Sequence, residues 1–297
     1  MRVLITIPHI FNPSGSGTYA SVADDPAPRV AALTACLDGL CSLSRQKQFY
    51  FDYDERSERK STGHKGRMNI DIVLCSVRDL NVTAAVPGLG EIYRLEVFDV
   101  DPMYTGFECQ KVLRNHLGQY DYYGYLEDDL IINDPYFFAK LLWFNKHAGD
   151  GVVLQPNRFE MTGPPENEQV YIDPDYDANS GRRPGYAHNF DDNTYLKASF
   201  LQQEIGFTRA KNPHSGCFFL NRTQMQHYAD QPYFEDQDVG FFGPLESAAS
   251  LGLMRTFRVY KPAFEHADFL QIQHYGTAWA DRARTVRLGK SGTLGKS

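Results

Sequence analysis

Apolar residues in the first half of the chain switch repeatedly between short continuous runs and helical spacing. Arg2 to Pro8 is a run of Val, Leu and Ile closed by proline, which reads as a short buried strand. Val30, Leu33, Leu37, Leu40 and Leu43 then recur every three or four residues, predicting a helix over Pro28 to Leu43. Further strands are predicted at Ile70 to Cys75, Tyr93 to Val100 and Tyr120 to Leu126. Between the last two, Phe107, Val112, Leu113 and Leu117 mark the buried side of a helix over Thr105 to Leu117. Asn133-Asp134-Pro135 follows the last strand as a helix start, with Asp134 as N-cap and Pro135 in the first turn. Strand and helix in alternation predict an α/β fold: a mostly parallel central sheet with helices on both faces.

The pattern loosens afterwards. Val152 to Arg158, Ser215 to Leu220 and Thr256 to Tyr260 read as strands, a helix is expected after Pro244, and Phe269 to Gly276 is an extended segment ending near His274. Three stretches lack periodicity. Asn12 to Thr18 is a Gly/Ser turn without the spacing or lysine of a P-loop, Gln46 to Arg67 is a polar surface connection, and 163–196 is rich in Pro, Gly, Asp, Asn and Tyr. After Ala283, Arg284, Arg287, Lys290 and Lys296 lie among Gly and Ser, as in a flexible basic tail.

With 297 residues, 42% of them hydrophobic, the chain can bury a substantial core. A net charge of −7 argues against a general nucleic-acid surface. Its five cysteines are odd in number and scattered through apolar runs, as expected of reduced residues in a cytoplasmic protein. No apolar run approaches the ~18 residues of a membrane span.

Candidate chemistry centres on Glu127-Asp128-Asp129, three consecutive acids between Tyr125-Leu126 and Leu130-Ile131-Ile132. Adjacent carboxylates repel and are costly to bury, so such a cluster either faces water as a solvated loop or holds a cation. It falls where a strand gives way to a loop, the edge at which open α/β sheets bind ligands. Alternation places Glu127 and Asp129 on one side and Asp128 on the other, and two oxygen donors on one side suit a hard divalent cation that also holds phosphate oxygens.

Lys111-Val112-Leu113-Arg114-Asn115-His116-Leu117-Gly118, followed by Tyr122-Tyr123-Gly124-Tyr125-Leu126-Glu127-Asp128-Asp129, resembles the helix-then-strand pattern of nucleotide-sugar glycosyltransferases of the GT-A fold. There the strand delivers an Asp-X-Asp metal motif, here written Glu-Asp-Asp. The resemblance implies a Rossmann-like single domain. Residues 1–132 would form the nucleotide-sugar half, ending in the metal motif, and 133–297 the acceptor and catalytic half. It implies Mn²⁺ or Mg²⁺ on Asp129, with Glu127 or Asp128 helping through metal, ribose or water contacts, and Arg114 near the donor phosphates. Pro8 and Arg78, which end or follow the first two strands, would border the nucleotide. Ser215-Gly216 would let the donor sugar approach, and 163–196 would be an acceptor-facing flap or a small β excursion.

Glu246, at a helix start, corresponds to the general base of such enzymes, with Asp236 and Asp238 in reserve; the Glu-Asp pair often found there is Glu246-Ser247 here. A C-terminal histidine completes the metal site in many of them, which points to His274 first and His266 second. The expected partners are a nucleoside diphosphate sugar, UDP-sugars first, and a saccharide or lipid-linked acceptor, with the basic tail offering contact to the diphosphate or an anionic membrane surface. Two rival readings stand beside this one. A sugar nucleotidyltransferase would need a Gly-rich loop with Arg and Lys after the first strand, which Asn12 to Thr18 lacks. The other is a non-catalytic metal- or carbohydrate-binding protein.

Overall fold

A computed structural model of the protein describes residues 1–14, 24–44, 49–60, 68–86, 91–165, 167–173 and 194–293, the last six as backbone only. Most of the Gly/Ser turn, parts of Gln46 to Arg67, the middle of 163–196 and Lys296 lie outside the described residues.

The chain runs through β1 (Arg2–Pro8), α1 (Ala27–Leu43), a hairpin of β2 (Phe49–Asp52) and β3 (Ser57–Lys60), β4 (Asn69–Val77), β5 (Tyr93–Phe98), α2 (Thr105–Asn115) and β6 (Tyr122–Leu126). Next come β7 (Leu130–Ile131), α3 (Phe137–Ala148), β8 (Val152–Leu154), β9 (Asn157–Met161), β10 (Gln169–Tyr171), β11 (Leu196–Phe200), β12 (Gln203–Arg209), β13 (Cys217–Asn221) and α4 (Arg222–Ala229). One helical segment follows, made of α5 (Pro244–Glu246), a π-turn over Ser247–Leu251 and α6 (Gly252–Thr256), and the described chain closes with β14 (Arg258–Pro262), β15 (Gln271–His274) and α7 (Ala278–Thr293).

The expected mostly parallel sheet is present. Its order is β13-β6-β1-β4-β5, and β13 alone runs antiparallel. Strand alternation divides its side chains between two cores. Val3, Ile5 and Ile7 pack with Leu33, Leu37 and Leu40 of α1 and Phe137, Leu141 and Phe144 of α3. Leu4, Val73, Tyr123 and Tyr125 pack on the other face with Phe107, Val112 and Leu113 of α2. Gly124 lies between Ile5 and Phe219, where a Cβ would come within 2.5 Å of the Ile5 side chain; the sheet is too closely packed at its centre for a larger residue.

Two smaller sheets, β10-β9-β15-β7 and β11-β12-β14-β8, extend the molecule beyond the acidic edge. Three expectations are corrected. The run Val152 to Arg158 is two strands in different sheets, because Pro156 interrupts it. Helix α3 starts at Phe137 rather than beside Asp134, whose side chain instead accepts the Tyr136 amide at 2.8 Å in an Asx turn before the helix. The basic tail is helical through Thr293.

All five cysteines are free and none is exposed. Among the described residues no helix is long and apolar enough to cross a membrane.

Candidate active site

The three acids leave β6 at its carboxyl end and separate at once. Glu127 is half-buried against the turn that enters β13: its amide donates to the Gly216 carbonyl at 3.0 Å. Gly216 has φ +62°, and a Cβ there would lie 2.6 Å from Glu127 Oε2, so the turn needs glycine both for its backbone and for its fit to this carboxyl. Burial, with Asp129 adding like charge, pushes the Glu127 carboxyl up to about 8.

Asp128 points the opposite way, into the protein, and is 1% exposed. Arg29 Nη2 binds one of its oxygens and His9 Nδ1 the other. His9 Nε2 accepts the Val82 amide at 3.1 Å, which places the ring proton on Nδ1, toward Asp128. Burial opposes the Asp128 charge, but Arg29 and His9 outweigh it and hold the carboxyl below its ordinary value. Arg29 also reaches Asp129 Oδ2, at 3.7 Å, through Nη1, and its neighbouring acids keep it charged despite burial.

Asp129 faces the second sheet. β7 pairs antiparallel with β15, matching Leu130 to His274, and the Tyr275 amide donates to the Asp129 carbonyl at 2.8 Å. This register sets His274 Nε2 3.8 Å from Asp129 Oδ2. The ring's Nδ1 meets Glu160 Oε1 at 2.8 Å, while Glu160 Oε2 accepts the amides of Trp279 and Ala280 at the start of α7. A carboxylate on Nδ1 fixes the ring so that Nε2 turns toward Asp129.

Asp129 Oδ1 and Glu127 Oε1 are buried without a hydrogen-bond partner among the described residues. Unpaired buried carboxylate oxygens beside an oriented imidazole suit a divalent cation of the Mn²⁺ or Mg²⁺ type. No group of three or more His, Cys, Asp or Glu among the described residues is arranged as a complete metal site. Asp129 and His274, with Glu127 beside them, are the residues that could hold such a cation, and its remaining ligands would be phosphate and water oxygens, the usual habit of Mg²⁺ at substrate sites.

Other predicted residues separate into two groups. Ser215 is buried and donates to the Pro156 carbonyl at 3.1 Å, fixing the turn beside Glu127. Glu246 ends α5 close enough to Glu127 and Tyr125 for its charge to raise both, and the Tyr125 hydroxyl donates to the Leu245 carbonyl at 3.4 Å. Pro8 is buried opposite Cys75 at the end of β1, directly before His9. Remaining candidates are engaged elsewhere. Arg78 pairs with Asp99 at 2.7 Å on the exposed surface.

Arg114, at the far end of α2, pairs with Glu235 at 3.1 Å and lies over the Phe234 ring, so the structure does not bring it to the acids. Helix α2 begins near the Tyr125 hydroxyl, at Gly106, and runs back along the strands, which carries its last turn away from the carboxyl edge. Asp236 and Asp238 both bind Arg255, at 3.3 and 3.0 Å. His266, inside a helical turn over Phe264–Phe269, accepts the β12 Gly206 amide at 3.2 Å.

His9, Arg29 and Glu160 were not singled out in the sequence. The available signals were a histidine directly after the first strand, an arginine in a helix's first turn, where the macrodipole disfavours a cation, and an acid inside a strand. A second buried ion pair, Arg158 with Asp173 through two contacts at 2.8 and 3.1 Å, lies behind the site and offsets part of the negative charge of Glu127 and Asp129.

Solved structures similar to this chain include S. aureus TarS. At a TM-score of 0.45 and 10% identity, the match covers 93% of this chain and 37% of TarS. TarS 1-349 in complex with UDP matches at 0.45 and 10%, covering 61% of that chain, and the complex with UDP-GlcNAc at 0.39 and 9%, covering 59%. The chain thus spans less than two thirds of these proteins. No protein-family model and no curated protein matches its sequence. At these TM-scores the likeness adds nothing to the chemistry, which rests on the residues around Asp129.

Proposed function

We propose that the protein is a divalent-cation-dependent glycosyltransferase that takes a sugar from a nucleoside diphosphate sugar and passes it to a hydroxyl acceptor. The observation that carries this reading is the Asp129–His274 pair, set at the carboxyl edge of a mostly parallel sheet and braced by Glu160. That edge is where open α/β sheets bind nucleotides.

Asp129 and His274 would hold Mn²⁺ or Mg²⁺, which supplies Lewis-acid neutralisation of the charge growing on the departing diphosphate. The protein's own residues do the rest. Arg29 and His9 lock Asp128 and so fix the path of the backbone that presents Asp129. Gly216, which admits no side chain, holds the Glu127 carboxyl in place beside Asp129. Glu246, at the end of the short α5, serves as general base toward the acceptor hydroxyl if the anomeric carbon inverts, and has no such role if it is retained.

The deciding experiment combines thermal shift with turnover. Wild type is expected to be stabilised jointly by Mn²⁺ and one of UDP, GDP or CDP, and Asp129→Asn to lose both that shift and sugar transfer while keeping its fold. Full transfer by Asp129→Asn without added metal would overturn the reading. Stabilisation by metal alone would favour a non-catalytic metal-binding protein, and preference for a triphosphate would favour nucleotidyl transfer.

A further inference from the structure

The central sheet ends in β5, and β4 is its one partner strand among the described residues. Tyr93–Phe98 thus offers an outer row of backbone N–H and C=O groups to a further strand. The row is open on both faces. Leu95 and Val97, on the α1 side with Leu74, are 37% and 53% exposed. Arg94, on the α2 side with Phe98, has a side chain 54% exposed, so neither layer of helices overhangs this edge.

Sheet edges are usually guarded by proline, by a bulge or by charges that repel a second strand. β5 has no proline, and its register with β4 runs from Tyr93 to Phe98 without a bulge. Its two charges are of opposite sign: Arg94 and Glu96 share one face, pair at 2.7 Å, and stand one position on either side of Leu95.

That symmetry decides what fits the strand. A second β5 running antiparallel, with Leu95 opposite Leu95, sets Arg94 opposite Glu96 twice and Tyr93 opposite Val97 twice. Opposite charges, and an aromatic against a β-branched residue, are both favourable cross-strand pairs. Sliding the strands by two residues, the smallest step that keeps like faces together, puts Arg94 against Arg94 or Glu96 against Glu96. An in-register parallel copy would bring both like pairs together.

We propose that β5 is a self-association edge, at which two copies of this chain pair antiparallel about Leu95 and join their five-stranded sheets into one continuous sheet. Such a contact is isologous, so it closes as a dimer instead of growing into a filament. The strands run in opposite directions, which turns the carboxyl edges of the two sheets opposite ways and leaves each Asp129–His274 pair open. The inference does not depend on the glycosyl-transfer reading.

Sedimentation equilibrium of the whole chain, over a concentration series taken to the solubility limit, measures the association. Wild type is expected to dimerise. Arg94→Glu and Glu96→Arg each set like charges opposite one another at both ends of the contact, and each should weaken dimerisation at least about tenfold. An equimolar mixture of the two variants should associate as tightly as wild type, because every opposed pair in the mixed dimer carries unlike charges. Recovery on mixing separates loss of pairing from loss of folding.

Register is read by disulfide cross-linking. Leu95→Cys should give a covalent dimer under mild oxidation, since directly opposite residues lie about 4.5–5.5 Å apart, within reach of a disulfide. Val97→Cys should not, because the two copies of that position would be about 14 Å apart. A wild-type chain that stays monomeric throughout the series overturns the proposal. So does full dimerisation by either charge-reversal variant alone, failure of their mixture to associate, or cross-linking through Val97→Cys in place of Leu95→Cys.

Discussion

Glu160 joins His274 to the C-terminal helix: one carboxylate oxygen meets Nδ1 of His274 at 2.8 Å, and the other accepts the Trp279 and Ala280 amides at 2.8 and 2.9 Å. Glu160 is completely buried, so it has no water to replace either set of partners. Orientation of His274 toward Asp129 is therefore tied to the docking of α7. Glu160→Gln should weaken Mn²⁺ binding about 10- to 100-fold, measured by calorimetric titration. It should also speed hydrogen exchange at the Trp279 and Ala280 amides. Unchanged Mn²⁺ affinity would show that His274 is not a ligand.

Gly216→Ala combines two penalties, a left-handed φ of +62° and a Cβ placed 2.6 Å from the Glu127 carboxylate. Backbone strain of this kind costs about 1–3 kcal/mol, and the contact with Glu127 adds to it. Urea denaturation should show a loss of at least that size, and Mn²⁺-dependent stabilisation should fall with it because Glu127 must move.

Arg29→Ala leaves the buried Asp128 with a hydrogen bond from His9 but no ionic partner of full charge, and removing one member of a buried pair typically costs about 3–5 kcal/mol. In an Asp128→Asn background the same substitution should cost markedly less, since the uncompensated charge is gone. A double-mutant cycle by chemical denaturation measures the coupling, and additive losses would show that the pair is not coupled.

His214 gives the fold an acid-sensitive element. Burial, followed by the Arg158 charge, lowers its folded pKa from 6.5 to about 4. Above pH 6.5 neither folded nor unfolded chain holds the proton. Between 6.5 and about 4 the unfolded chain binds it and the folded chain does not, so stability falls as pH falls through this window. The loss levels off below about 4, at roughly 3 kcal/mol by linkage. Asp173, whose carboxyl is held below its ordinary value against burial by Arg158 and Lys261, adds a loss at lower pH as it is protonated. His214→Gln should flatten the dependence of unfolding free energy on pH between 6.5 and 4, and an unchanged slope would remove His214 as its source.

Local pattern was enough to locate β1, α1, β4, α2 and β6 to within a few residues, because each buries a face whose periodicity is written in consecutive positions. The same pattern placed the acids at the carboxyl end of a strand. It failed at Val152 to Arg158, where the run looks continuous but Pro156 separates two strands that join different sheets. It failed again after Ala283, where Gly, Ser and Arg suggest fraying. The helix there is anchored by Glu160 at its start and by Arg287, which reaches Glu168 at 2.8 Å.

The sequence by itself determined the α/β alternation, since the switch between strand and helical periods is written in consecutive residues. It also anticipated the opposed directions of Asp128 and Asp129, which the structure reaches through a turn closed by the Leu130 amide on the Glu127 carbonyl at 3.1 Å rather than through an extended chain. Tertiary structure alone decided which partners each acid meets. His9 and Arg29 lie 119 and 99 positions before Asp128, and Glu160 lies 114 positions before His274. Such contacts depend on strand order and register, which adjacent residues do not encode. Arg114 illustrates the converse: near the acids in sequence, it is carried off by the direction of α2, whereas His274, remote in sequence, is delivered to Asp129 by the pairing of β7 with β15.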